Sequence, residues 1–160
     1  VSVTFKLTKN PILNTSYGAI AQELEKAGVK NPGIRDVSEA VIRIRSSKLP
    51  DPAVIGNAGS FFKNPTISKL LYDKIHANYP GIPSYQVNEL KIKVPAGWLI
   101  EQCGWKGYRK NDAGVHAKQA LVLVNHGHAK GDEIWKLSGE IVASVKEKFA
   151  IELEREVQVW

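Results

Sequence analysis

The chain has 160 residues, room for one sizeable hydrophobic core with at most a small appendage. Its one cysteine, Cys103, excludes an internal disulfide and a cysteine zinc cluster, and no apolar run approaches the roughly 20 residues of a membrane-spanning helix. The formal net charge of +6 is dispersed, with small groupings at Arg43, Arg45 and Lys48 and at Lys106, Arg109 and Lys110, and no aromatic-interleaved basic strip accompanies it. That pattern argues against nucleic acid and is met more simply by a diphosphate-bearing small molecule. With no signal-peptide pattern at Val1, a soluble cytoplasmic protein without a membrane partner is expected.

Residues 1–8 alternate apolar and polar, as a half-buried strand does. Tyr17, Ile20, Ala21, Leu24 and Ala27 then recur at helical spacing, and Gly28 is a natural stop. Asp36, with Glu39 three residues on, reads as a capping box ahead of Val37, Ala40, Val41 and Ile44. A Gly-rich turn occupies residues 56–60, and Asn64-Pro65 predicts a helix start, with Asn64 as N-cap and Ile67, Leu70, Leu71 and Ile75 on the helix. Leu90, Ile92 and Val94 alternate with Glu89, Lys91 and Lys93 as a strand. Ala96, Leu99, Ile100 and Cys103 share a helical face, which makes the cysteine a buried, inert thiol.

The apolar run 120–125 suits an interior strand. The longest predicted helix, about 132–149, carries Ile134, Leu137, Ile141, Val145 and Phe149 on one stripe. Residues 151–159 alternate again. Strands interspersed with helices, without regular βαβ units, predict an α+β fold of mixed helices and largely antiparallel sheet. The sequence contains no methionine and both ends alternate as if in mid-strand, so a processed or partial chain is expected.

The stretch with most chemical content is 56–65, Gly-Asn-Ala-Gly-Ser-Phe-Phe-Lys-Asn-Pro, which sets the Ser60 hydroxyl on a Gly-rich turn with Lys48 upstream and Lys63 downstream. It lacks the Lys-Ser/Thr pair of a phosphate-binding P-loop, the spacing of a dinucleotide fingerprint and the Gly-x-Ser-x-Gly of a nucleophile elbow. A serine without an activating base suits a proton donor better than a nucleophile. His126 and His128 flank a glycine, with His116 nearby in sequence, but no carboxylate or cysteine set accompanies them and no metal is assigned. By pattern alone Glu152, Glu154 and Glu156 form a solvated strand face.

Lys48-Leu-Pro-Asp-Pro52, the 56–65 stretch, Ala-Gly-Trp-Leu-Ile-Glu-Gln-Cys-Gly at 96–104, Val-His-Ala-Lys-Gln-Ala-Leu-Val-Leu-Val-Asn at 115–125 and Leu-Glu-Arg-Glu-Val at 153–157 follow one another in order. Together they resemble the UDP-N-acetylenolpyruvoylglucosamine reductase family, flavoenzymes of bacterial peptidoglycan synthesis. The resemblance implies that this is a C-terminal portion, with the FAD-binding region N-terminal to it. Residues 1–50 would be the end of the flavin-binding region and a connecting segment, and 51–160 the substrate-binding domain. FAD and NADPH are then cofactors of the full-length enzyme, with none expected on this chain by itself, and the substrate is a UDP-sugar enolpyruvyl ether.

The same resemblance implies that Ser60 protonates the enolate formed on hydride transfer and that Glu156 is its supporting carboxylate. It gives Tyr17, Lys48 and Asn64 to the substrate and its diphosphate, and Gln119 to the nucleotide end, with Arg45 and Lys106 as further contacts. Arg155 departs from the family pattern, which usually has proline between the two glutamates, and the departure puts the aim of Glu156 in question. The competing reading is a stand-alone UDP-sugar or nucleotide-binding module without catalysis. A flavin-binding region encoded upstream would separate the two.

Overall fold

The structure is a computed structural model and describes residues 2–159. It divides into two compact units, one ending at Lys48 and the other starting at Leu49.

In the first unit, α1 (Ile20–Lys26) and α2 (Ile34–Lys48) pack through Ile20, Leu24 and Ala40, with Val37, Val41 and Ile44 half-buried around them. Arg43 Nε donates to Glu23 Oε1 at 2.8 Å and ties the two helices together at their edge. Gly28 ends α1 as expected: it sits at φ +70, and its N–H reaches the carbonyl of Glu25 at 2.9 Å. The start of α2 is three residues earlier than the capping-box reading, at Ile34 instead of Val37. Asp36 lies inside the first turn, and its carboxylate accepts from the Gly33 N–H at 2.7 Å. The expected strand at the N-terminus does not form. Residues 2–8 pair with no strand among the described residues, and Val3, Phe5 and Leu7 are exposed. Apolar alternation becomes a strand only where a ladder satisfies the backbone, and none is present there; position 1 lies outside the described residues.

The second unit is α+β, and its two sheets are antiparallel throughout. One orders β1 (Gly56–Ser60), β7 (Val122–Asn125), β6 (Ala113–Val115) and β5 (Arg109–Lys110); the other orders β2 (Thr66–Ser68), β4 (Lys91–Lys93) and β3 (Tyr85–Gln86). The helices are α3 (Lys69–Asn78), α4 (Ala96–Gln102) and α5 (Gly131–Phe149). The apolar run read as an interior strand is β7, which lies between β1 and β6. The stripe of α5 buries Leu137, Ile141, Val145 and Phe149. Asp132 and Glu133 in its first turn and Lys146 and Lys148 in its last match the helix dipole.

The helix expected from Pro65 begins four residues later. Thr66–Ser68 instead pairs with Lys91–Lys93, burying Ile67 opposite Ile92. Ser68 becomes the N-cap of α3 and accepts from Leu71 N–H at 3.2 Å. Two β-branched residues beside a ready strand partner outweigh the local Asn-Pro signal. Leu70 is 70% exposed, so it is not on the buried face of α3.

The unit's core joins Phe62, Ile67, Ile75, Val94, Leu99, Ile100, Ile141, Val145 and Phe149, among others. Ile151 and Leu153 add to it from the alternating C-terminal segment, whose pairing among the described residues is confined to one bridge, Phe62 to Arg155. Cys103 caps α4 half-buried, and burial pushes its thiol up, which disfavours the reactive thiolate.

Ile141→Ala, at a fully buried position, is expected to cost about 2–5 kcal/mol in urea unfolding, whereas Leu70→Ala stays within about 0.5 kcal/mol. Equal losses for the two would mean that α5 does not seal this core.

Candidate functional site

The Gly-rich segment 56–60 is a bulged edge strand rather than a turn into a helix. Asn57 pairs with Val124 but Ser60 with Val122, so β1 carries one residue more than its partner between those pairs. Gly59 sits at φ +73, a conformation costly for other residues, and its N–H reaches Asn57 Oδ1 at 3.1 Å. Ser60 is thereby left exposed at the end of the strand, immediately before the buried pair Phe61 and Phe62, whose ring centroids lie 5.4 Å apart.

That buried pair carries the backbone to the C-terminal segment. Phe61 donates to the Leu121 carbonyl at 2.8 Å, and its own carbonyl accepts from Glu156 N–H at 2.9 Å. Lys63 N–H donates to the Glu154 carbonyl at 2.9 Å. Glu156 is thereby bonded to the residue that follows Ser60, although the two lie at opposite ends of the unit in sequence, and both side chains are exposed. Lys63 and Glu154 form an ion pair alongside. Glu154 holds the Lys63 ammonium above its ordinary pKa, and the charge of Glu156 adds in the same direction. Lys63 is legible in the sequence only as local positive charge; its place between two carboxylates comes from the ladder.

The other candidates divide into separate groups. Asn64 is not the cap of its own helix: its Oδ1 accepts from the Ala96 N–H of α4 at 2.9 Å, and its amide N–H donors are unspent among the described residues. Gln119 belongs to the same sheet end, since Val122, the ladder partner of Ser60, donates to the Gln119 carbonyl at 3.1 Å. Its side-chain oxygen lies against Gly97, where a Cβ would approach to 3.0 Å. Lys106 is paired with Glu101 at 2.8 Å. Tyr17, Arg45 and Lys48 belong to the first unit, Tyr17 just before α1 and the two cations in the last turn of α2, all exposed.

A groove of about 820 Å³ runs beside β1, walled by Asn57, Phe61, Asn125, Lys130, Trp135 and Val157 among others. Ser60 and Glu156 do not line it. The loop 126–128 is held by its backbone: Asn125 Oδ1 accepts from Gly127 and Ala129 N–H, each at 3.0 Å, and Asp112 Oδ2 accepts from His128 N–H at 2.9 Å. The His128 amide is the first cause that holds the Asp112 carboxyl below the usual carboxylate range, with Arg109 adding to it. Among the described residues no three His, Cys, Asp or Glu side chains gather as metal ligands. His116 Nδ1 is buried without a hydrogen-bond partner among the described residues, and burial pushes the imidazole below its ordinary value.

Two outcomes follow from this geometry. Asn64→Ala should lower stability by about 1 kcal/mol through loss of the α4 contact, read by thermal unfolding, and an unchanged Tm would remove that role. His116 takes a proton less readily folded than unfolded, where its value is 6.5. Its contribution is therefore full above that value and is lost as the pH falls through it towards the lower folded value. Denaturation midpoints should fall from about pH 7.5 to about pH 5.5, and His116→Phe should flatten that stretch.

The family described as UDP-N-acetylenolpyruvoylglucosamine reductase, C-terminal domain, matches residues 51–160. The UDP-N-acetylenolpyruvoylglucosamine reductase of Flavobacterium johnsoniae is 55% identical over 159 residues, which cover 99% of this chain and 47% of the relative. That of Chromobacterium violaceum is 52% identical over 155 residues, covering 97% of this chain and 46% of the relative. A crystal structure of the reductase from Thermus caldophilus aligns with 28% identity and a TM-score of 0.47, over 79% of this chain and 34% of that one. The chain spans about half the length of the curated relatives it matches. Over 51–160 it carries the family's C-terminal domain, and the chain belongs to the UDP-N-acetylenolpyruvoylglucosamine reductase family.

Proposed function

We propose that this chain supplies the substrate side of a bacterial, cytoplasmic, flavin-dependent reductase that uses NADPH to convert UDP-N-acetylglucosamine enolpyruvate into UDP-N-acetylmuramate for peptidoglycan synthesis. The observation that carries the proposal is the hydrogen bond from Glu156 N–H to the Phe61 carbonyl, which ties Glu156 to the residue after Ser60 in a chain of this family. Residues 1–50 are read as the end of the flavin-binding region with a connecting segment, and 51–160 as the substrate-binding domain.

Ser60 and Glu156 are both exposed, and the groove beside them is open. This suits groups that face a cofactor held by another part of the reductase, so FAD and NADPH are assigned to the N-terminal half that the relatives' length allows for. When bound by the N-terminal half, FAD reduced by NADPH would supply the hydride for the enolpyruvyl double bond. The Ser60 Oγ–H bond then breaks as its proton passes to the carbanionic carbon of the enolate, and exposure to water lets the hydroxyl recover a proton. Glu156 supports the developing enolate, where a positioned hydrogen-bonding group lowers the barrier most. Tyr17, Lys48 and Asn64 are given to the sugar and its diphosphate, Gln119 to the nucleotide end, and Arg45 and Lys106 to further contacts. Lys106 has Glu101 as its present partner and would exchange it for substrate.

Ser60→Ala in the reductase that carries this chain tests the reading. Stopped-flow measurement should find reduction of the flavin by NADPH close to wild type and its reoxidation by substrate slower by about 10² to 10⁴, with Ser60→Cys less impaired than Ala. Calorimetry should find UDP-sugar binding little changed. Slowed flavin reduction, or reoxidation at the wild-type rate, would make Ser60 structural.

A further inference from the structure

Arg155 sits between Glu154 and Glu156 and has no part in the chemistry above, yet its side chain has two fixed partners. Its Nε–H donates to Ser138 Oγ at 2.7 Å, and its guanidinium carbon lies 4.0 Å from the centre of the Trp135 ring. Both partners belong to α5. Ser138 is fully buried, and its own hydroxyl donates to the Trp135 carbonyl at 2.6 Å, so the acceptor of Arg155 cannot turn freely. A guanidinium stacked on an indole and hydrogen-bonded through Nε is confined in two directions at once.

The main chain at this point is much less restrained. Arg155 faces Phe62 in the one bridge of the segment, and the two hydrogen bonds that make it belong to the neighbours, Lys63 N–H to the Glu154 carbonyl and Glu156 N–H to the Phe61 carbonyl. Beyond Glu156 no further pairing continues among the described residues. The Glu156 carboxylate is therefore carried by a backbone with a single ladder contact on its own residue. Ordering such a segment costs conformational entropy at every residue, and something beyond the bridge has to offset that cost.

We propose that Arg155 is a positioning residue for Glu156: clamped on Trp135 and Ser138, it fixes the backbone from which the Glu156 carboxylate is aimed. The inference rests on the role given to Glu156 in the proposed function. Arg155 acts through the backbone of its neighbour, and its contacts to α5 already occupy its guanidinium, against the Trp135 ring, and its Nε–H.

The test is a double-mutant cycle in the reductase that carries this chain. Arg155→Ala should slow reoxidation of the reduced flavin by substrate about 10- to 100-fold, the scale of a misaimed group, while flavin reduction by NADPH and calorimetric binding of the UDP-sugar hold. Arg155→Lys keeps the charge but loses the Nε–H and the planar stack, and should be slowed comparably. Combined with Glu156→Gln, Arg155→Ala should add less than about twofold to the loss that Glu156→Gln causes alone. Should Arg155→Ala fail to fold, Ser138→Ala removes the acceptor of Arg155, together with its own bond to the Trp135 carbonyl, and should show the same coupling to Glu156 on a smaller scale. Two full losses multiplying in the double variant, or Arg155→Lys at the wild-type rate, would overturn the positioning role while Glu156→Gln remains impaired. Glu156→Gln at the wild-type rate would instead overturn the role of Glu156 itself.

Discussion

Burial of Phe62 is the constraint on which the second unit's site depends. At 1% exposure it is among the most deeply enclosed side chains in the core, and burying such a ring contributes about 1.5–3 kcal/mol. Once its ring is committed inward, the two residues on either side have little freedom. Phe61 is buried as well and shares its amide with the sheet and its carbonyl with Glu156, so Ser60 emerges at the sheet's end and cannot move independently of it. Lys63 is drawn to the C-terminal segment by the Glu154 carbonyl. Hydrophobic burial thus sets the place of polar groups that contribute little to stability themselves.

The polar contacts of the second unit sort by what they do. The exposed ion pairs Lys63–Glu154, Lys106–Glu101 and Lys146–Glu152 add little to folding, as exposed pairs generally do. A second group runs from side chain to backbone: Asn64 to the first turn of α4, Asn125 across its own loop, and Asp112 to the amide of His128. Each satisfies backbone N–H groups that strand ends and helix starts leave over. Arg155 is of a third kind, a charged side chain whose fixed partners lie on the longest helix.

The bulge in β1 and the pairing of β2 belong to one problem. A chain that leaves the first sheet at Ser60 must enter the second at Thr66, with Phe61 and Phe62 buried in between. The extra residue before Ser60 adjusts the strand's twist and exit, and Gly59 is where the positive φ is taken up. The same short crossing leaves no room for a helix at Pro65, which is why Asn64 serves the α4 turn instead of capping its own.

Local pattern was sufficient wherever one element's periodicity decided its fate. The stripe of α5, the apolar run of β7, the burial of Ile92 and Val94 in the alternating stretch around β4, though not of Leu90, and the glycine stop of α1 are readable in sequence order, because each depends on neighbours within one or two turns. The α+β class and the family resemblance were legible for the same reason, one from the mixture of periods and the other from ordered blocks of residues. Residues 2–8 and 64–68 were not, because whether an alternating stretch becomes a strand depends on a partner far along the chain. The resemblance nominates Ser60 and Glu156 separately; that Glu156 bonds to the residue after Ser60, and that an arginine braced on Trp135 and Ser138 precedes it, is decided by non-local backbone pairing and side-chain packing that no local pattern encodes.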